Sequence, residues 1–140
     1  MNGTKINYKR IIVTGIVGGI IGGVIFGVMM QVMGRIEMIA SMMGSQSLLV
    51  GWIIHLMISI IFGIGFVLLT TVTKLNLILL TILYGALIWI IGPLIIMPMM
   101  MGVGTNLANA FSSDQLMSLM THIFFTAIVA LVVYFRTRNN

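Results

Sequence analysis

Residues 11–33 read IIVTGIVGGIIGGVIFGVMMQVM, twenty-three consecutive positions without a charged side chain. A helix needs about 20 predominantly apolar residues to cross the hydrocarbon core of a bilayer, so this stretch predicts a membrane span. Three further runs follow at about 48–73, 75–101 and 116–135. The whole chain agrees: 60% of its 140 residues are hydrophobic and 6% are charged, against roughly 25% charged in a soluble domain. So few charges cannot wet a globule, which excludes a soluble domain, a disordered tail and a nucleic-acid-binding module. The expected fold is an all-α integral membrane bundle of four transmembrane helices, one domain over residues 1–140, with the lipid bilayer as its partner. The first run follows a basic start, as signal peptides do. It is too long for their apolar region and lacks an A-x-A-like cleavage site, so it reads as a retained span. Pro93 and Pro98 predict a kink or an end in the third run.

Orientation follows from the basic residues, which collect on the cytoplasmic side of membrane proteins. Lys5, Lys9 and Arg10 precede the first span, Lys74 separates the second and third, and Arg136 and Arg138 follow the fourth. With four spans these places share one side, leaving Arg35 opposite, with Glu37 and Asp114. Both termini are therefore expected in the cytoplasm, with the chain in the plasma (inner) membrane. The tight turn at Lys74 predicts that spans two and three form an antiparallel hairpin. The two outer connections, 34–47 and 102–115, are longer. Ile36, Ile39 and Met43 recur at helical spacing, which predicts a short helix lying in the membrane interface, with Met38, Met42 and Met43 inserted there. Ser45 or Ser47, and Ser112 or Ser113, are candidate N-caps for spans two and four.

The chain resembles itself. A displacement of 67 residues lays His55 on His122, Ser59 on Thr126, Gly51 on Ser118 and Gly63 on Ala130, and one of 68 lays Met29 on Met97 and Met33 on Met101. That pattern predicts a duplicated two-helix unit with a pseudo-twofold axis along the membrane normal. The apolar Gly-rich first span, the Trp52–His55 segment, the third span with Tyr84, Gly85, Trp89, Gly92, Pro93, Met97 and Pro98, and a closing span with His122 resemble an uncharacterised family. Its members are small prokaryotic four-helix membrane proteins, some called YagU-like. The resemblance implies an inner-membrane or plasma-membrane protein with no established activity.

Three groups of residues are candidates for function. Gly15, Gly19, Gly23 and Gly27 recur every four positions, as do Gly18 and Gly22, giving the first span the look of a glycine zipper. Gly51, His55, Ser59 and Gly63 form one face of span two, and Ser118, His122, Thr126 and Ala130 the matching face of span four. Small residues let helices approach closely in lipid, so these faces predict packing within the bundle, a homodimer, or docking into a larger membrane complex. The second group is His55 with His122, each about two turns inside the outer end of its span and each on a small-residue face. Imidazoles inside a bilayer are functional candidates. The pair is open to three roles: internal hydrogen bonds, ligation of haem b or a metal such as copper, and a proton or substrate relay. The third group is methionine, 14 residues in all. Met29 with Met33, and Met97 with Met101, each place two thioethers on one helix face near the histidines, and soft thioethers select Cu(I). The alternative is that Met fills irregular gaps beside the glycines. Trp52 and Tyr134 fit the aromatic belt, Trp89 and Tyr84 are placed to pack on the glycine ladder, and Asn106, Asn109 and Asp114 read as loop and cap residues.

Cysteine is absent and the chain has two acidic side chains, so no thiol nucleophile and no carboxylate pair exist and an enzyme is not expected. The functional classes, in order, are a structural or accessory subunit of a membrane assembly, a haem- or copper-binding membrane protein, and a small transporter or channel.

Overall fold

A computed structural model of the chain describes residues 7–138, so Lys5 lies outside the described residues. The helices are α1 (Tyr8–Val32), α2 (Arg35–Met42), α3 (Leu48–Val72), α4 (Leu77–Trp89), α5 (Met97–Met100) and α6 (Ser113–Arg138). A π-helical segment, Ile90–Ile96, joins α4 to α5 without a break. Four helical stretches, Tyr8–Val32, Leu48–Val72, Leu77–Met100 and Ser113–Arg138, are long and apolar enough to cross a membrane. The first and last run past their apolar stretches, because charged terminal turns close helical hydrogen bonds as well as apolar ones do. Two caps escaped the sequence reading. Asn7 Oδ1 accepts from Arg10 N at 3.1 Å, and Asn76 Oδ1 from Leu79 N at 2.8 Å. Of the serines, Ser112 Oγ meets Gln115 N at 3.4 Å, whereas Ser47 precedes α3 without a side-chain cap and bonds back to Ser45 Oγ.

The proline-bearing span neither ends nor breaks. Pro93 lacks an N–H, and its ring crowds the carbonyl one turn earlier; the wider π turn around it absorbs both defects. Pro98 cannot donate to Leu94 O, and the Asn106 N–H of the following loop takes that carbonyl at 2.8 Å. Asn106 is thereby tied to the span rather than simply solvated.

α1 is the hub of the bundle and packs on α3 and α6, while α4 packs on α6. The glycines explain why. A Cβ on Gly19 would fall 2.6 Å from Ser59 O and 2.7 Å from Ile60 Cα, and one on Gly23 2.7 Å from Ser59 Cβ. Gly15 meets the Ile64 backbone, and Gly63 of α3 meets Gly15 O and Gly19. The second ladder serves the other neighbour: Gly18 faces Val129 and Gly22 faces Phe125, both of α6. Both ladders are thus occupied within the chain. Gly85 repeats the device between α4 and α6, where its Cβ would lie 2.7 Å from Ile123 Cα.

Two expectations are corrected here. Spans two and three are consecutive but meet over only a short length, because the glycine faces draw α3 onto α1 and α4 onto α6. Where α3 and α4 do touch, Tyr84 is the link: its hydroxyl donates to Phe62 O at 2.9 Å, and its ring lies 5.5 Å from that of Phe66. Tyr84 therefore packs on α3 beside Gly65 rather than on the α1 ladder. Tyr84→Phe should lower stability by about 1 kcal/mol, the usual net worth of one such bond, read as the melting shift of purified protein. An unchanged melting temperature would mean that the hydroxyl contributes nothing. The short helix expected in the first outer connection is present as α2. Its buried face, Ile36, Ile39 and Ala40, docks on α3, with the Ile36 backbone against Gly51, while Met43 is exposed. Gly34, with φ of +69°, makes the reversal from α1 that allows this docking.

Candidate intramembrane site

The part of the bundle where α3 and α4 do not meet holds a cavity of about 370 Å³. His55 and Ser59 line it from α3, His122 and Phe125 from α6, and Phe26 from α1. Gly92 and Pro93 of the π segment form part of the opposite wall. The π segment that accommodates Pro93 thus forms one wall of the cavity.

Each histidine is held by a backbone carbonyl, His55 by one of α1 and His122 by one of its own helix. His55 is buried, and its Nε2 lies 2.9 Å from Gly23 O; His122 Nδ1 lies 2.6 Å from Ser118 O. A carbonyl can only accept, so each of these nitrogens donates, which leaves His55 Nδ1 and His122 Nε2 as the lone-pair nitrogens of the neutral rings. Phe26 packs edge-on against both, with centroids 5.6 Å from His55 and 5.2 Å from His122. Both histidines line one cavity, and their imidazoles each pack on Phe26 without a bond to each other. One turn on, Ser59 Oγ donates to His55 O and Thr126 Oγ1 to His122 O, at 2.8 and 2.9 Å. The small hydroxyl residues thus satisfy their own helix and leave the ring nitrogens alone.

The methionines divide differently from the expected pairs. Met97 lines the cavity, and with it Met30, Met42, Met43 and Met100. Met29 is absent from that lining and is 37% exposed. Met42 and Met43, expected in the membrane interface, are thus part of the cavity lining. Met33 and Met101 line a second cavity of about 230 Å³, which shares Phe26, Met30, Pro93, Met97 and His122 as lining with the first. Met38, Arg35, Asp114 and Asn106 line its outer part. Thioethers thus line both cavities, and His122 borders each. Met30 was legible in principle, since it lies one helical turn beyond the core residue Phe26.

Trp52 serves less as a belt residue than as a strut. Its Nε1 donates to Gln31 Oε1 at 2.6 Å, and its ring packs on Gly27 and, at 6.0 Å, on His55. Trp89 is buried, and its Nε1 has no hydrogen-bond partner among the described residues. No group of three or more His, Cys, Asp or Glu residues that could hold a metal occurs among the described residues. Any metal here would need thioether as well as imidazole ligands. Comparison of the chain with known protein families, curated proteins and solved structures finds no match. The fold is that of a multi-pass helical membrane protein with a cavity between its helices.

Proposed function

We propose that the protein is a non-catalytic membrane subunit that holds a soft monovalent cation, Cu(I) in chemistry, in the cavity between α3 and α4. The observation that carries this reading is that a backbone carbonyl engages one ring nitrogen of each histidine where both rings line one cavity. Both imidazole N–H groups are committed to backbone carbonyls, the arrangement that fixes ligating histidines in metal sites. Both rings line one apolar cavity that also holds the thioethers of Met30, Met97 and Met100. Imidazole and thioether together suit Cu(I) better than harder ions. Conduction is disfavoured because Phe66, Leu80, Val129 and Val133 fill the other half of the bundle. The pairing of α1 with α3 and of α4 with α6 is what a duplicated two-helix unit requires, and it supports the internal repeat.

Titration of detergent-purified protein with Cu(I) against a competing chelator tests the proposal. One tightly held equivalent per chain and no Soret band are expected. A Soret band would assign the site to haem, and neither signal would return the histidines to a packing role in an accessory subunit. The orientation proposed for the site places both termini in the cytoplasm, of the plasma membrane in a prokaryote. Reporter fusions after residue 140 and near Asn106 should then give opposite sides, with Asn106 outside. A cytoplasmic Asn106 contradicts this.

A further inference from the structure

The second cavity, of about 230 Å³, has a polar lining that the cation site does not use. Arg35 of α2 and Asp114 of α6 both border it. Neither side chain has an ion-pair or hydrogen-bond partner among the described residues, so the two charges share one cavity beyond ion-pair distance of each other. Each is set there by its helix. Arg35 opens α2 directly after Gly34, whose φ of +69° turns the chain out of α1. Asp114 lies in the first turn of α6, where a carboxylate complements the helix dipole. Glu37 does not neutralise Arg35, because residues two apart on a helix do not face each other, and it is exposed and outside the lining. The residue after Asp114 adds an independent observation. Gln115 lines the same cavity, and its Oε1 is buried without a hydrogen-bond partner among the described residues. A buried acceptor in that state costs free energy until a donor reaches it. One space is thus offered a cationic fork, a carboxylate and an unfilled acceptor.

We infer that this cavity takes a zwitterion with a phosphate at one end and a primary ammonium at the other, in a membrane the phosphoethanolamine headgroup of a lipid. The Arg35 guanidinium matches phosphate geometry. The Asp114 carboxylate and Gln115 Oε1 together suit a group that is cationic and also donates N–H, which a primary ammonium does. The place fits as well. The cavity lies where the span Tyr8–Val32 ends and the span Ser113–Arg138 begins, the level at which a bilayer presents its headgroups. Met33 and Met101 also line it, are 47% and 50% exposed, and offer apolar surface to acyl chains.

Native mass spectrometry of the metal-free full chain, released from vesicles of phosphatidylethanolamine, phosphatidylcholine and phosphatidylglycerol in equal parts, tests the inference independently of the cation site. The three lipids share the phosphate. The cation of phosphatidylcholine has no N–H, and phosphatidylglycerol has no cation. Retention of phosphatidylethanolamine should exceed that of either other lipid by roughly tenfold, about the worth of one charge-assisted hydrogen bond. Asp114→Asn should abolish the preference over phosphatidylglycerol. Gln115→Met, which keeps the length and removes the acceptor, should reduce the preference over phosphatidylcholine severalfold. Arg35→Gln should lower retention of all three lipids, whereas Glu37→Gln, outside the lining, should leave the pattern unchanged. Where Asp114→Asn does not fold, Gln115→Met alone reads the ammonium contact. Displacement of the bound lipid by an equimolar amount of free phosphoethanolamine would assign the cavity to a soluble zwitterion and overturn the lipid source. Equal retention of the three lipids, a preference that survives both Asp114→Asn and Gln115→Met, or undiminished retention in Arg35→Gln would overturn the inference altogether.

Discussion

Gly19→Leu is expected to lower the stability of the bundle by about 3 kcal/mol or more, the upper range for overpacking a core, and in mild detergent to prevent folding. The reason is the neighbour. A side chain at this position meets Ser59 O and Ile60 Cα, which are backbone atoms and cannot rotate aside. Relief requires α1 and α3 to separate, and with them the dispersion contacts that drive helix association where lipid is the solvent. Because Gly15, Gly23 and Gly63 share the seam, separation at one point loosens the others. Two controls isolate the effect. Ile20, the next residue, is 43% exposed, and nothing lies within 4 Å of a Cβ on Gly92. Ile20→Leu and Gly92→Ala should each change stability by no more than about 0.5 kcal/mol. Melting curves from size-exclusion-purified protein decide the matter, and equal melting temperatures for Gly19→Leu and Ile20→Leu would refute a close α1–α3 seam.

The second large effect is on cation binding. His55→Ala and His122→Ala should each weaken Cu(I) affinity by about a hundredfold, since loss of even an outer-shell partner of a metal ligand costs roughly 10–100-fold. The double variant should lose little more than either single one, because ligands of one ion act as a unit. Met97→Leu, which keeps the apolar volume and removes the thioether, should weaken binding while leaving the melting temperature of the metal-free protein near that of the parent. Met29→Leu should change nothing, because Met29 does not line the cavity. Losses for His55→Ala and His122→Ala that simply add would indicate two separate sites.

The spans were legible because lipid imposes a length and an apolarity that no other solvent demands. The close-packed role of Gly19 and Gly23 was legible too, since an every-fourth-residue glycine pattern has few other uses. Which helix each ladder meets was not. Gly19 and Gly22 lie on adjacent faces of one helix, and only the assembled bundle shows that one meets α3 and the other α6. The turn at Lys74 misled for a related reason: a short connection makes two helices consecutive, but packing decides whether they touch, and Gly85 draws α4 toward α6 instead. Proline was read as a kink or an end because its local defects are visible in sequence. Their remedies, a π turn around Pro93 and the distant Asn106 N–H, are not. For the site, equal depth and a shared small-residue flank were enough to place His55 and His122 together. The choice of Met30 over Met29 turned on about 100° of helix rotation, which a spacing pattern alone does not fix.

X-ray absorption at the copper edge of the Cu(I)-loaded protein tests the central claim most directly, because it reads the ligand atoms themselves. A first shell containing both imidazole nitrogen and thioether sulfur is predicted, with the imidazole contribution halved in His122→Ala and the sulfur contribution diminished in Met97→Leu. A shell without imidazole nitrogen, or one unchanged by removal of either histidine, would contradict a cation site in the cavity between α3 and α4.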